Sequence, residues 1–101
     1  MDRIDNLTTI VQREVADYAL ESPNATAYYV ERPQQNLYAV ISVPTRNPQK
    51  ATVMVMARIA DDHIIIESDK TDHPLYEALV QAGVPRERIV LAYAGEASAA
   101  A

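Results

Sequence analysis

His63 and His73 are the only imidazoles of the chain, and both stand where its carboxylates concentrate: Asp61, Asp62, Glu67, Asp69, Asp72 and Glu77, opposed in that stretch by Lys70 alone. Imidazoles beside carboxylates are the donor set of a zinc-like site, which needs three or four ligands converging at ~2 Å. Metal-assisted hydrolysis using Asp69, Asp72 and a histidine is therefore one chemistry to weigh. The spacing argues against it, because His63 falls in a turn before a strand and His73 at a helix start, a pattern that matches no metal motif. The simpler roles are a polar turn residue for His63 and a helix cap for Asp72 or His73. The same six acids admit a second chemistry. A carboxylate-rich segment complements a basic surface on a partner protein, and Asp61, Asp62, Glu67, Asp69, Asp72 and Glu77 are the residues that would dock it. The bland alternative is a solvated face that keeps a small protein soluble.

Other chemistries find little to work with. The chain has no cysteine, so disulfides, thiol catalysis and thiolate metal sites are excluded. Ser22, Ser42, Ser68 and Ser98 lack a Gly-x-Ser-x-Gly elbow. The two glycines, Gly83 and Gly95, cannot build a phosphate loop. No catalytic, cofactor-binding or metal-binding residue is assigned from these patterns. Nine basic residues are scattered against fourteen acids, for a net charge of −5. The nearest approach to a basic cluster, Arg86-Glu87-Arg88, is interrupted by an acid. Phosphate binding requires a basic footprint, so direct nucleic-acid binding is not expected. Tyr28, Tyr29 and Tyr38 lack the interleaved basic residues of a base-stacking sheet and read as core edges or interface contacts.

The elements that must hold these residues follow from periodicity. Ile4, Leu7, Val11, Val15 and Tyr18 recur at spacings of three and four, the stripe of a first helix, with Asp2 placed to cap it and Ser22-Pro23-Asn24 to end it. Strands are expected over 25–31, 37–43, 51–59 and 64–67, separated by Arg32–Asn36, by a loop over 44–50 and by a tight turn at 60–63. Leu75, Ala78, Leu79 and Ala82 form the stripe of a second helix, stopped by Gly83 and Pro85. A final strand is expected over 89–93. The order α-β-β-β-β-α-β predicts an α+β fold, a mostly antiparallel five-stranded sheet with both helices on one face.

At 101 residues the chain is long enough for one domain, expected over 1–96, with a frayed tail over 97–101. No run reaches the roughly 18 apolar residues of a membrane span. The opening Met-Asp-Arg-Ile-Asp-Asn has acids where a signal peptide has bases, so a cytoplasmic protein is expected. The middle strands are apolar on both sides. Tyr38 and Val40 on one strand, with Met54 and Met56 on the next, are read as a second apolar face covered by another copy of the chain, most simply in a homodimer.

Residues 61–93, DDHIIIESDKTDHPLYEALVQAGVPRERIVLAY, resemble the XisI-like proteins, the fdxN element excision controlling factor family. The match rests on Glu67 and Asp69 at a strand end, on Thr71-Asp72, on Leu75 to Val80, and on Ala82 to Tyr93. Ile10-Val11 and Ala16-Asp17-Tyr18-Ala19 fit the family's opening. The family often carries Gly-Cys and His on the third strand and Trp on the fourth, where this chain reads Ala51 to Ala57 and Ile64 to Glu67. The resemblance implies a small α+β fold and a cyanobacterial, non-enzymatic regulatory factor in DNA rearrangement. Its implied partner is a XisH-like, nuclease-related protein, with the strand chemistry left to a recombinase.

Overall fold

In the computed structural model, which describes residues 3–96, the first helix α1 spans Arg3–Ala16. Leu7, Val11 and Val15, one turn apart, are its buried stripe. It ends earlier than Pro23 requires, with Tyr18 and Ala19 in the turn that follows. The expected cap at Asp2 and the tail over 97–101 lie outside the described residues. Five strands follow: β1 Ala25–Arg32, β2 Leu37–Pro44, β3 Thr52–Ala60, β4 His63–Asp69 and β5 Ile89–Leu91. They form one sheet in sequence order. The first four pair antiparallel, and β5 pairs parallel to β4. That one parallel step needs a crossover, which the second helix α2, Leu75–Gln81, supplies. The α+β architecture read from the sequence is the observed one.

Local chemistry accounts for the connections. Asp61 and Asp62, with φ of 50° and 62°, make a two-residue hairpin turn, and short Asx side chains tolerate this left-handed geometry. Asn36 does the same, at φ 52°, after the 3-10 turn Pro33–Gln35. Gly83 takes φ 107° beyond α2. Its amide donates to Val80 and the Val84 amide donates to Leu79, the paired bonds that close a helix C-terminus. β5 is shorter than the expected 89–93: after Leu91 the chain turns through Ala92–Ala94 to Gly95.

The core lies between the two helices and one face of the sheet. Val11, Val15, Leu75 and Leu79 pack against Tyr38, Val40, Val55, Ala57, Ile64 and Ile66. This corrects the face assignment for Tyr38 and Val40. They are 1% and 0% exposed, and they pair across the ladder with Ala57 and Val55, on the helix side. Both alternating sets of β2 are apolar, so alternation could not choose between them. Met54 also packs against the core. The pairing shifts by one residue between Val40 and Ile41, opposite Met54, and such a bulge re-aims a side chain.

Candidate interaction surfaces

The six acids do not gather into one patch. Asp61 and Asp62 sit in the β3–β4 turn, at one end of β4. Asp69 lies at the other end, about 20 Å away along a strand of this length at ~3.3 Å per residue. Near the turn, an Asp62 carboxylate oxygen lies 3.9 Å from Arg88 Nη1. Its other oxygen, Oδ1, is buried without a hydrogen-bond partner. Midway along the sheet, Arg58 Nε donates to Glu67 Oε2 at 2.5 Å. Asp72 and Glu77 are exposed.

Asp69 has an internal role. Its Oδ1 accepts from the Thr71 amide at 2.9 Å and from Thr71 Oγ1 at 2.5 Å, and its Oδ2 accepts from the Leu75 amide at 2.7 Å. A carboxylate receiving the first amide of a helix satisfies an orphan donor and complements the helix dipole. The expected cap at Asp72 or His73 is thus replaced. Pro74 occupies the cap position without a side-chain bond, and the carboxylate arrives from the strand end instead. His73 contributes through its backbone, since its carbonyl accepts from Tyr18 Oη and lies 2.8 Å from Thr71 Oγ1, whose single proton goes to the nearer Asp69 carboxylate. Tyr18 therefore ties the β4–α2 connection to the turn after α1. Among the described residues no three His, Asp or Glu side chains converge on a metal-sized point. His63 is occupied locally, its Nδ1 lying 2.8 Å from the Asp61 carbonyl.

Two half-open grooves flank the helices. One, of about 420 Å³, lies between Leu7 and Ile10 of α1 and the Gly83–Arg88 segment, with Asp62 and Glu87 on its wall. The other, of about 360 Å³, has Ala27 and Met54 on its lining and Lys70, Asp72 and His73 on its polar side.

The face of the sheet turned away from both helices is also largely apolar. Alternation and pairing place Tyr28 and Val30 of β1 there, with Leu37, Ala39, Ile41 and Val43 of β2, Val53 and Met56 of β3, Ile65 of β4 and Val90 of β5. Tyr28 and Val30 are exposed, Leu37, Ile41, Val43, Val53 and Met56 half-buried, and Ala39, Ile65 and Val90 buried. Of the residues assigned to this face from the sequence, Met56 alone lies on it. The others were missed although β2 carried the signal: Leu37, Ala39, Ile41 and Val43 are apolar without exception. Arg58 and Glu67 are the charged pair on the same face.

The tyrosine side chains on the core side feel this burial. The Tyr29 hydroxyl is raised well above the ordinary tyrosine range, first by burial and then by its hydrogen bond to Glu31 and the charge there. At the far edge, the Glu96 carboxyl is held below its ordinary value. The first cause is the bond it accepts from the Leu91 amide, at 2.8 Å, and the Arg86 guanidinium adds to it.

Against known proteins, the family model described as XisI protein matches residues 1–100. Two solved structures share the architecture, both from Anabaena variabilis ATCC 29413. A XisI-like protein superposes with a TM-score of 0.74 at 23% identity, covering 89% of this chain and 85% of its own. The fdxN element excision controlling factor XisI superposes with a TM-score of 0.74 at 19% identity, covering 91% of this chain and 93% of its own. At these identities the likeness is one of fold. No curated protein sequence matches. Among the described residues no helix is long and apolar enough to cross a membrane.

Proposed function

The chain belongs to the XisI protein family, and from that premise we propose that it is a non-enzymatic accessory factor controlling excision of a DNA element. It acts in the cytoplasm on another protein, a XisH-like, nuclease-related partner, and not on DNA. The observation that carries this reading is the family match over residues 1–100, together with the fold shared with an fdxN element excision controlling factor. The charge distribution agrees. A net charge of −5 with dispersed arginines gives no footprint for phosphates, whereas free carboxylates at Asp61, Asp72 and Glu77 suit a basic protein surface. Self-association belongs to the same reading, with the chain working as a homodimer.

The alternative, a small metal-dependent hydrolase built on Asp69 and Asp72, has less behind it, because Asp69 already accepts three hydrogen bonds from its own chain. The experiment is co-expression with the XisH-like protein encoded nearest to this chain, followed by purification at low and at high salt. A complex at low salt that dissociates at high salt supports charge-guided docking, as screening of exposed charges demands. Absence of a complex at either salt refutes the partner reading.

A further inference from the structure

We propose that β1 pairs antiparallel with β1 of a second copy of this chain, about a two-fold axis through Tyr29, so that one sheet runs through both copies. The proposal rests on the self-association in the proposed function and names its contact. It is independent of the excision role.

The two edges of the sheet are unlike. β5 is three residues long, and the chain turns away after Leu91, which makes a short edge that resists further pairing. β1 is eight residues long and keeps an unbroken register with β2 from Ala25 to Arg32. It carries no proline and no bulge, and charge only at Glu31 and Arg32. A long, regular edge without these interruptions is a template for another strand.

Hydrogen bonding decides which of its groups are available. Opposed residues of an antiparallel pair alternate between exchanging bonds and turning them away. Asn24, opposite Thr45 in this register, accepts from the Thr45 amide at 2.9 Å. Thr26, Tyr28, Val30 and Arg32 therefore turn N–H and C=O toward β2, and Ala25, Ala27, Tyr29 and Glu31 turn theirs outward. The Ala25 carbonyl agrees, since it accepts from the Ser22 amide at 3.1 Å on the outer side. Among the described residues no backbone group meets the outward N–H and C=O of Ala27, Tyr29 and Glu31.

A second copy satisfies those groups. A two-fold contact must be self-complementary, each residue i meeting j while j meets i. With the axis at Tyr29, Ala27 exchanges bonds with the partner's Glu31, Tyr29 with the partner's Tyr29, and Glu31 with the partner's Ala27. Next in line, Ala25 would face the partner's Pro33. The first has its carbonyl occupied and the second has no N–H, so the ladder stops with nothing left unmet. An axis at Tyr28 sets the occupied Ala25 against the partner's Glu31, and an axis at Val30 leaves the Ala27 carbonyl opposite the partner's Pro33. Side chains select the same register. Tyr28 and Val30, 54% and 40% exposed, face each other across the axis, an aromatic against a β-branched residue. Glu31 stands opposite the partner's Ala27 and Arg32 opposite the partner's Thr26, so like charges are never opposed.

The test reads oligomeric state by sedimentation on the full chain. The wild type is expected at twice the monomer mass of 11.2 kDa. Ala27→Pro removes an outward N–H and none that bonds β2, a position where an edge strand tolerates proline. It is expected to keep the wild-type circular dichroism and to weaken the dimer about tenfold or more. Val80→Lys, on the exposed side of α2, is expected to leave the dimer unchanged. Cross-linking supplies an independent readout, because the chain has no cysteine of its own. Facing residues that exchange no bonds lie ~4.5 Å apart at Cα, within disulfide reach, whereas positions two residues out of step lie beyond it. Tyr28→Cys mixed with Val30→Cys is therefore expected to give a disulfide-linked dimer on oxidation, and either variant alone is not. Cross-linking of a single variant alone, or none in the mixture, overturns the proposal. A dimer indifferent to Ala27→Pro overturns the edge assignment and leaves self-association standing. A wild-type monomer overturns both, and leaves the edge to an extended segment of another protein.

Discussion

Replacement of Asp69 by alanine should be among the more damaging single changes to the connection between β4 and α2. Its carboxylate accepts from the Thr71 amide, Thr71 Oγ1 and the Leu75 amide, and no other side chain caps α2 at its cap position. A net protein hydrogen bond contributes ~1 kcal/mol, rising when the acceptor is charged, and loss of a helix cap costs about 0.5–2 kcal/mol. Because Asp69 is partly solvent-accessible, water recovers some of this, and the sum comes to about 2–3 kcal/mol. For a domain of this size, 1 kcal/mol moves the melting temperature by about 4–8 °C, so Asp69→Ala should melt about 10–20 °C lower by circular dichroism. Asp69→Asn keeps an acceptor for Thr71 but turns an amide toward the Leu75 N–H or loses one bond, and should cost roughly half as much. Asp72→Ala, an exposed neighbour, should stay within ~0.5 kcal/mol of wild type. If Asp69→Ala and Asp72→Ala melt alike, the capping argument is wrong.

Other outcomes follow from packing and titration. Leu79→Ala empties a fully buried position between α2 and the sheet and should cost about 2–5 kcal/mol, read as a lower urea midpoint at unchanged slope. The Tyr29 hydroxyl is raised in the folded state, so its contribution is complete below the ordinary tyrosine pKa of about 10 and is lost as pH rises through the folded value. Tyr29→Phe should flatten the alkaline limb of stability against pH, and an unaltered limb would contradict the assignment. The Glu96 carboxyl is lowered, so its contribution is present above the ordinary glutamate pKa and fades as pH falls through the folded value. An NMR titration should place Glu96 below the ordinary glutamate range, and Arg86→Gln should move it back toward that range.

Much of the fold was legible because the signals were local. The four-residue recurrence of Leu7, Val11 and Val15 marks α1. Pro85 and Gly83 punctuate the end of α2, and Asp61-Asp62 marks the hairpin turn. The choice of sheet face was not legible, for a physical reason. Alternation identifies a buried face only when the other face is polar, and β2 is apolar on both. The register shift at Met54 then carried that methionine to the core while Met56 stayed outside. The roles of the acids were equally hidden. Glu67 meets Arg58 across a strand pair, and Asp69 reaches forward to Leu75. Both partnerships are set by where the chain returns, so carboxylate density along the sequence overstated the docking surface. Asp61, Asp72 and Glu77 remain free for it.

Control of excision through protein contacts is measured by counting recombined junctions with quantitative PCR in cells carrying the fdxN element, its recombinase and the XisH-like protein, with and without this chain. Under the proposed function, junction frequency changes when the chain is supplied, and the change is lost with a variant unable to bind the XisH-like protein. An unchanged frequency in the presence of a verified complex would refute the proposed function.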